Sequence, residues 1–186
     1  MIKLLMRLPS WLLIKLSGKK HIEIGYRKLH PPFQFLLKLT ENLVTDFTTL
    51  TPEQFRAAYI EQSKISAKMP TGIKWKDHEI EVLKGKIFIR EYHSKKIKEN
   101  GPSLVYFHGG GWVIGDIETH HQLTAYICDK LGAKVFSVDY RLSPEFKYPI
   151  PLDDCNAAFD WVYSNAESLG LDKDRISAGG DSAGGN

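Results

Sequence analysis

The stretch Gly180-Asp181-Ser182-Ala183-Gly184 narrows what this chain can fold into more than any other feature of its sequence. In Gly-x-Ser-x-Gly a strand turns abruptly into a helix, and the central serine is held in a strained backbone conformation with its Oγ exposed at the apex. Glycines two residues to either side leave room for that turn, because a Cβ there would collide with the neighbouring strand or helix. Arg175 to Gly179 reads as a short buried strand entering the turn, the setting such an elbow requires. The competing reading is a flexible Gly/Ser-rich end.

A second glycine-rich motif weighs against that alternative. Leu104-Val105-Tyr106-Phe107 is a short continuous apolar run, as expected of a strand covered on both faces. His108-Gly109-Gly110-Gly111-Trp112 follows it directly. Successive glycines let the backbone approach a ligand and turn its N–H groups inward, which is how a loop binds a developing oxyanion. A triple glycine alone reads as a plain turn. Two such motifs at the carboxyl ends of buried strands lie where α/β sheets bind ligands.

The elements around them alternate. Ile80 and Val82, a Lys84-Gly85 turn, then Ile87 and Ile89 predict an antiparallel hairpin with one wet face. A helix over Thr119 to Leu131 should bury Leu123, Tyr126, Ile127 and Leu131 and end at Gly132. Val135 to Val138 is a second buried strand. Pro151 opens a helix with Asp153 and Asp154 in its dipole-favoured first turn, burying Cys155, Ala158, Phe159 and Val162 and ending at Gly170. The expected class is α/β: a mostly parallel sheet with an antiparallel hairpin at its start. The expected organisation is a helical cap segment over residues 1–70 and an α/β domain over 71–186.

The first of these regions reads as helical. His30-Pro31-Pro32 interrupts it, and Phe33, Leu36, Leu37 and Leu39 follow at helical spacing. Thr51 with Pro52 and Gln54 forms a capping box for a further helix whose shared face is Phe55, Ala58, Tyr59 and Ile65. The apolar start is cut by Lys3, Arg7 and Lys15 and lacks a small-x-small cleavage site, so it reads neither as a signal peptide nor as a membrane span. The plain reading is a helix over the protein's own apolar surface; the alternative is a basic amphipathic segment, residues 1–16, resting on a membrane surface.

The formal charge of +3 is too mild, and too evenly spread along the sequence, to argue for a nucleic-acid partner. The two cysteines, Cys128 and Cys155, read as buried thiols of a reducing compartment, so the expected location is cytoplasmic. No metal site and no cofactor are expected.

The residues His108 to Trp112, Asp139-Tyr140-Arg141-Leu142-Ser143-Pro144-Glu145 and Gly180 to Asn186, in that order, resemble the hormone-sensitive-lipase-like branch of the α/β-hydrolases. The resemblance covers the chain from about Leu104 onward. It implies a serine carboxylesterase or lipase in which Ser182 is the nucleophile that forms an acyl-enzyme on a small apolar ester. It further implies that the N–H groups of Gly110, Gly111 and Ala183 form the oxyanion hole, while His108, Gly109 and Asp181 support the two turns. Arg141 and Glu145 read as a structural pair or loop clamp, and His120 and His121 as a solvated helix start.

In that family the triad runs Ser, Asp or Glu, then His in chain order. No acid or base follows Ser182 before Asn186, so the expectation is the N-terminal part of an esterase of on the order of 300 residues, inactive in this form. Two other classes stay open at this point. One is a non-catalytic small-molecule binder, as the plant gibberellin receptors of the same family are. The other is an inactive fragment that aggregates through an unpaired sheet edge.

Overall fold

The computed structural model describes residues 5–41, 49–64, 68–98 and 100–186. The chain divides into two compact units, Met1–Thr49 and Leu50–Asn186.

In the first unit, helix α1 (Ser10–Leu16) is followed by a two-stranded antiparallel ribbon, β1 (Glu23–Ile24) and β2 (Arg27–Lys28), and by helix α2 (Pro31–Thr40). The ribbon departs from the all-helical expectation. Its cause is local: Gly25 sits at φ +59, which a tight turn between paired Ile24 and Arg27 requires. Pro31 does not break a helix but starts one, where its missing N–H costs nothing. Buried Gln34 ties the unit together. Its Nε2 donates to Ser17 Oγ (2.7 Å) and to the Lys20 carbonyl (3.1 Å), and its Oε1 accepts from the Ile22 N–H (2.9 Å). Phe33, Leu37 and Leu39, placed on the apolar pattern of α2, are exposed, and Phe35 is the buried aromatic.

The second unit opens with α3 (Pro52–Ser63), whose capping box forms as the sequence predicts: Thr51 Oγ1 accepts from Gln54 N–H and Gln54 Oε1 from Thr51 N–H. Phe55, Ala58 and Tyr59 are half-buried, and Ile65 lies outside the described residues. Strands β3 (Lys74–Val82) and β4 (Gly85–His93) form the hairpin, closed by Leu83-Lys84 with Lys84 at φ +57. Then follow β5 (Gly101–Phe107), α4 (His121–Leu131), β6 (Lys134–Asp139), α5 (Ile150–Ser164), β7 (Leu171–Gly180) and a 3₁₀ turn at Ser182–Gly185.

The sheet order is β3-β4-β6-β5-β7. β6, β5 and β7 run parallel, and the hairpin joins antiparallel through β4 and β6. Because side chains alternate along a strand, each central strand feeds two cores. Val105, Phe136 and Val138 pack with Ala158 and Val162 of α5, whereas Tyr106 and Val135 pack with Ala125 and Cys128 of α4. The connection leaving β5 runs to one side, to β6, and the connection leaving β6 returns past β5 to β7. The adjacent carboxyl ends of β5 and β7 therefore sit where the winding reverses, the place at which open α/β sheets form a crevice.

Three expectations need correction. β7 is not a buried strand: it pairs only with β5 among the described residues, and Lys173, Asp174, Arg175, Ser177 and Ala178 are exposed. In α4 the buried side chains are Thr124, Ala125 and Cys128, while Leu123, Tyr126 and Leu131 are exposed. In α5 Asp154 is fully buried against Arg141, so it answers a specific cation and not only the helix dipole. Gly132, in the left-handed conformation at φ 60, ends α4 as predicted. Helix α5 stops at Ser164, and Gly170 at φ 64 ends the turns that follow it.

Candidate active site

The two glycine-rich turns stand side by side at the crevice, and glycine serves positive φ in one and close approach in both. In the loop after β5, Gly110 and Gly111 adopt φ +126 and +60, in or near the left-handed region where L side chains are strained. Gly110 accepts at its carbonyl from the N–H groups of Val113 (3.1 Å) and Ile114 (3.0 Å). The N–H groups of Gly110 and Gly111 themselves have no hydrogen-bond partner among the described residues.

In the turn after β7 the glycines serve close approach. A Cβ on Gly184 would overlap the Phe107 carbonyl of β5, and one on Gly180 would overlap both that oxygen and the Gly184 backbone. The positive φ there falls on Ser182 itself, at +51. A serine in that region carries strain of about 1–2 kcal/mol. The side chain is exposed, and among the described residues its hydroxyl makes no hydrogen bond.

One carboxylate joins the turns. Asp181 Oδ1 accepts from the Gly109 N–H at 2.9 Å and from Tyr106 Oη at 2.6 Å, with His120 Nε2 at 3.5 Å. Burial, followed by this hydrogen bond to Asp181, raises the Tyr106 phenol well above its ordinary range, which keeps it a donor. A Cβ on Gly109 would strike the same carboxylate, so the Asp181 contact requires glycine there.

His108 is fully buried. Its ring stacks on Tyr140 at 4.2 Å between centroids and 10° between planes, and Tyr140 Oη donates to its carbonyl at 2.5 Å. His108 Nδ1 lies 2.8 Å from the Gly109 carbonyl, an acceptor, which assigns the proton to Nδ1. Burial pulls the imidazole down to about 4, so it is neutral at pH 7.

Sequence reasoning missed Arg56 and misassigned its partner. Arg141 and Glu145 do not pair with each other. Arg141 is held by buried Asp154 (2.7 and 2.8 Å) and by the carbonyls of Leu83 and Lys84. Glu145 pairs with Arg56 of α3 at 2.9 and 2.7 Å, and the hydrogen bonds from Arg56 lower its carboxyl to about 2. Arg56 also donates to the carbonyls of Val113 (2.8 Å) and Ser143 (2.9 Å), fastening the loops after β5 and β6. His120 and His121 do not form a solvated start. His120 is buried beside Asp181, and His121 Nδ1 meets Tyr92 Oη at 2.8 Å. No periodicity announces such pairs, because each joins segments far apart in sequence.

A cavity of about 780 Å³ reaches Gly111 and Ala183 and is lined by Trp112, Tyr140, Leu152 and Phe159. No group of three or more His, Cys, Asp or Glu side chains among the described residues is placed to hold a metal ion.

Comparison with known proteins agrees with this architecture. Residues 104–186 match the family model for the alpha/beta hydrolase fold. The chain is 35% identical over 156 residues to Lipase 2 of Moraxella sp. (strain TA144), covering 81% of this chain and 35% of the relative. It is 38% identical over 144 residues to an arylesterase of Saccharolobus solfataricus, covering 77% and 46% respectively. The solved structure of a hyperthermophilic esterase from Pyrobaculum calidifontis superposes with a TM-score of 0.76 at 32% identity, over 84% of this chain and 50% of that one. The chain thus spans half or less of the length of these relatives. Over residues 104–186 the chain is similar to the α/β-hydrolase family, in agreement with its resemblance to the hormone-sensitive-lipase-like branch.

Proposed function

We propose that this chain carries the nucleophile and oxyanion-binding part of a carboxylic-ester hydrolase. Ser182 Oγ attacks the ester carbonyl as a base takes its proton, the acyl C–O bond breaks, and the alcohol leaves with a proton as Ser182 becomes acylated. The N–H groups of Gly110, Gly111 and Ala183 bind the oxyanion, each donor worth about 3 kcal/mol of barrier in comparable sites. His108 and Gly109 shape the loop, and Asp181 holds it against the elbow. The observation that carries this reading is the strained, exposed Ser182 at φ +51 beside a loop whose Gly110 and Gly111 N–H groups have no partner among the described residues. The apolar lining of the adjoining cavity and the ester-hydrolysing relatives favour a small apolar acyl ester.

No described histidine lies within hydrogen-bonding reach of the Ser182 hydroxyl, and a serine without a base is a weak nucleophile. The 186-residue chain is therefore expected to hydrolyse p-nitrophenyl butyrate no faster than its Ser182→Ala variant. Added imidazole, a base from solution, should raise the rate of the former above that of the latter. Equal rates for the chain and its Ser182→Ala variant in imidazole would overturn the nucleophile assignment. Turnover at the rate of an intact esterase, with no base added, would overturn the requirement for one.

A further inference from the structure

Divided between the two units, the charge that looked even along the sequence is not. Residues 1–49 hold eight Lys and Arg against three Asp and Glu, a formal +5, so the remainder of this +3 chain is net acidic. Among the described residues Arg7, Lys15, Lys20 and Arg27 pair with no carboxylate, in contrast to Lys28 with Glu23 (2.9 Å) and Lys38 with Glu41 (2.5 Å).

The same unit carries much of the molecule's exposed apolar surface. Tyr26 at the tip of the β1–β2 ribbon is 89% exposed and neighbouring Ile24 78%; Trp11 of α1 and Phe33 and Leu37 of α2 are more than half exposed. Arg27 lies over the Tyr26 ring, 5.5 Å from its centroid, so a cation and an amphipathic ring leave the ribbon tip together. Exposed aromatic and aliphatic side chains interleaved with unpaired cations are what an interfacial element presents to a lipid surface. The rings enter the headgroup layer while Lys and Arg meet anionic headgroups. No helix among the described residues is long and apolar enough to cross a membrane, so such contact is peripheral.

We propose that residues 5–41 form a peripheral docking surface for anionic lipid bilayers, with the Ile24-Gly25-Tyr26-Arg27 ribbon tip as its inserting element and Arg7, Lys15, Lys20 and Arg27 as its headgroup contacts. A nucleic acid would use the cations but not the insertion of Ile24 and Tyr26. A second copy of the chain would use the apolar side chains but gain nothing from unpaired like charges.

The test is co-sedimentation of the 186-residue chain with vesicles of phosphatidylcholine alone and with about 30% phosphatidylglycerol, at low and at about 0.5 M salt, where surface charge is screened. The expected result is at least about tenfold tighter partitioning onto the anionic vesicles at low salt, most of it lost at high salt. Lys15→Glu/Lys20→Glu/Arg27→Glu should abolish that preference. Tyr26→Ser, a substitution at an exposed turn, should weaken anionic binding several-fold with an unchanged circular dichroism spectrum. Equal partitioning onto both vesicle types, no binding to either, or a charge-reversed chain that binds as before would overturn the proposal. So would a chain that pellets without vesicles, which marks self-association as the use of these side chains.

Discussion

The turn after β5 and the turn after β7 lie next to each other, yet they are built in opposite ways. The first starts in the interior, with His108 fully buried and stacked on Tyr140, and comes out at exposed Gly111 and Trp112; its residues at positive φ include two glycines. The second leaves an exposed edge strand, its glycines at ordinary φ, and the left-handed conformation falls on Ser182. In the loop two of the three positive-φ positions, Gly110 and Gly111, suit their residues, and only Trp112 at φ 60 is held there against its preference. In the elbow the backbone shape is imposed by neighbours, namely the fit of Gly180 and Gly184 on the Phe107 carbonyl and the Asp181 bridge to Gly109 and Tyr106. A turn held by its neighbours should be the easier of the two to break from outside.

Gly184→Ala breaks the comparison hardest. Its Cβ meets backbone on β5 that cannot rotate away, so a loss of about 3 kcal/mol or more is expected by urea unfolding. Gly111→Ala, with open space around the new Cβ and only its φ of +60 against it, should cost about 1–2 kcal/mol. Equal losses would show that close approach is not what the elbow glycines serve.

His108 sharpens the contrast through pH. Its imidazole is near 4 when folded and 6.5 unfolded, so the unfolded chain binds the extra proton between those values. Stability from this group is full above pH 6.5 and falls as the pH drops toward 4, by on the order of 3 kcal/mol in all. Asp139 acts in the other direction: burial raises its carboxyl to about 6, so its contribution is lost as pH rises from 3.8 to about 6. Asp139→Asn should therefore steepen the acid-side loss in a pH series of urea midpoints, and His108→Asn should flatten or reverse it. A slope unchanged by both would remove the buried imidazole from the account.

Asp181→Asn keeps the shape of the bridge but removes the charge that both donors face, and about 2 kcal/mol is expected from thermal melts. Tyr106→Phe added to it should cost much less than Tyr106→Phe alone, because the two substitutions share one hydrogen bond. Additive losses would mean that the bridge does not bind the turns together. Ser182→Gly should give the smallest effect and the opposite sign. Relief of the strain at φ +51, offset by greater chain entropy when unfolded, predicts a gain of about 0.5 kcal/mol.

What the sequence determined by itself is local. Thr51-Pro52-x-Gln54 is a complete capping instruction, Gly132 a stop, Leu104 to Phe107 a covered strand, and the two glycine motifs turns at strand ends; each follows from a few adjacent residues and appears where it was expected. The buried sides of α2 and α4 did not follow from apolar spacing. Gln34 and Thr124 occupy the interior because hydrogen bonds satisfy them there, leaving Phe33 and Leu123 outside. Only the tertiary structure gave Asp154 to Arg141, Glu145 to Arg56, and Asp181 to both Tyr106 and Gly109. A polar group's partner is set by which distant segments the sheet order brings within about 3 Å, and no pattern along the chain encodes that distance.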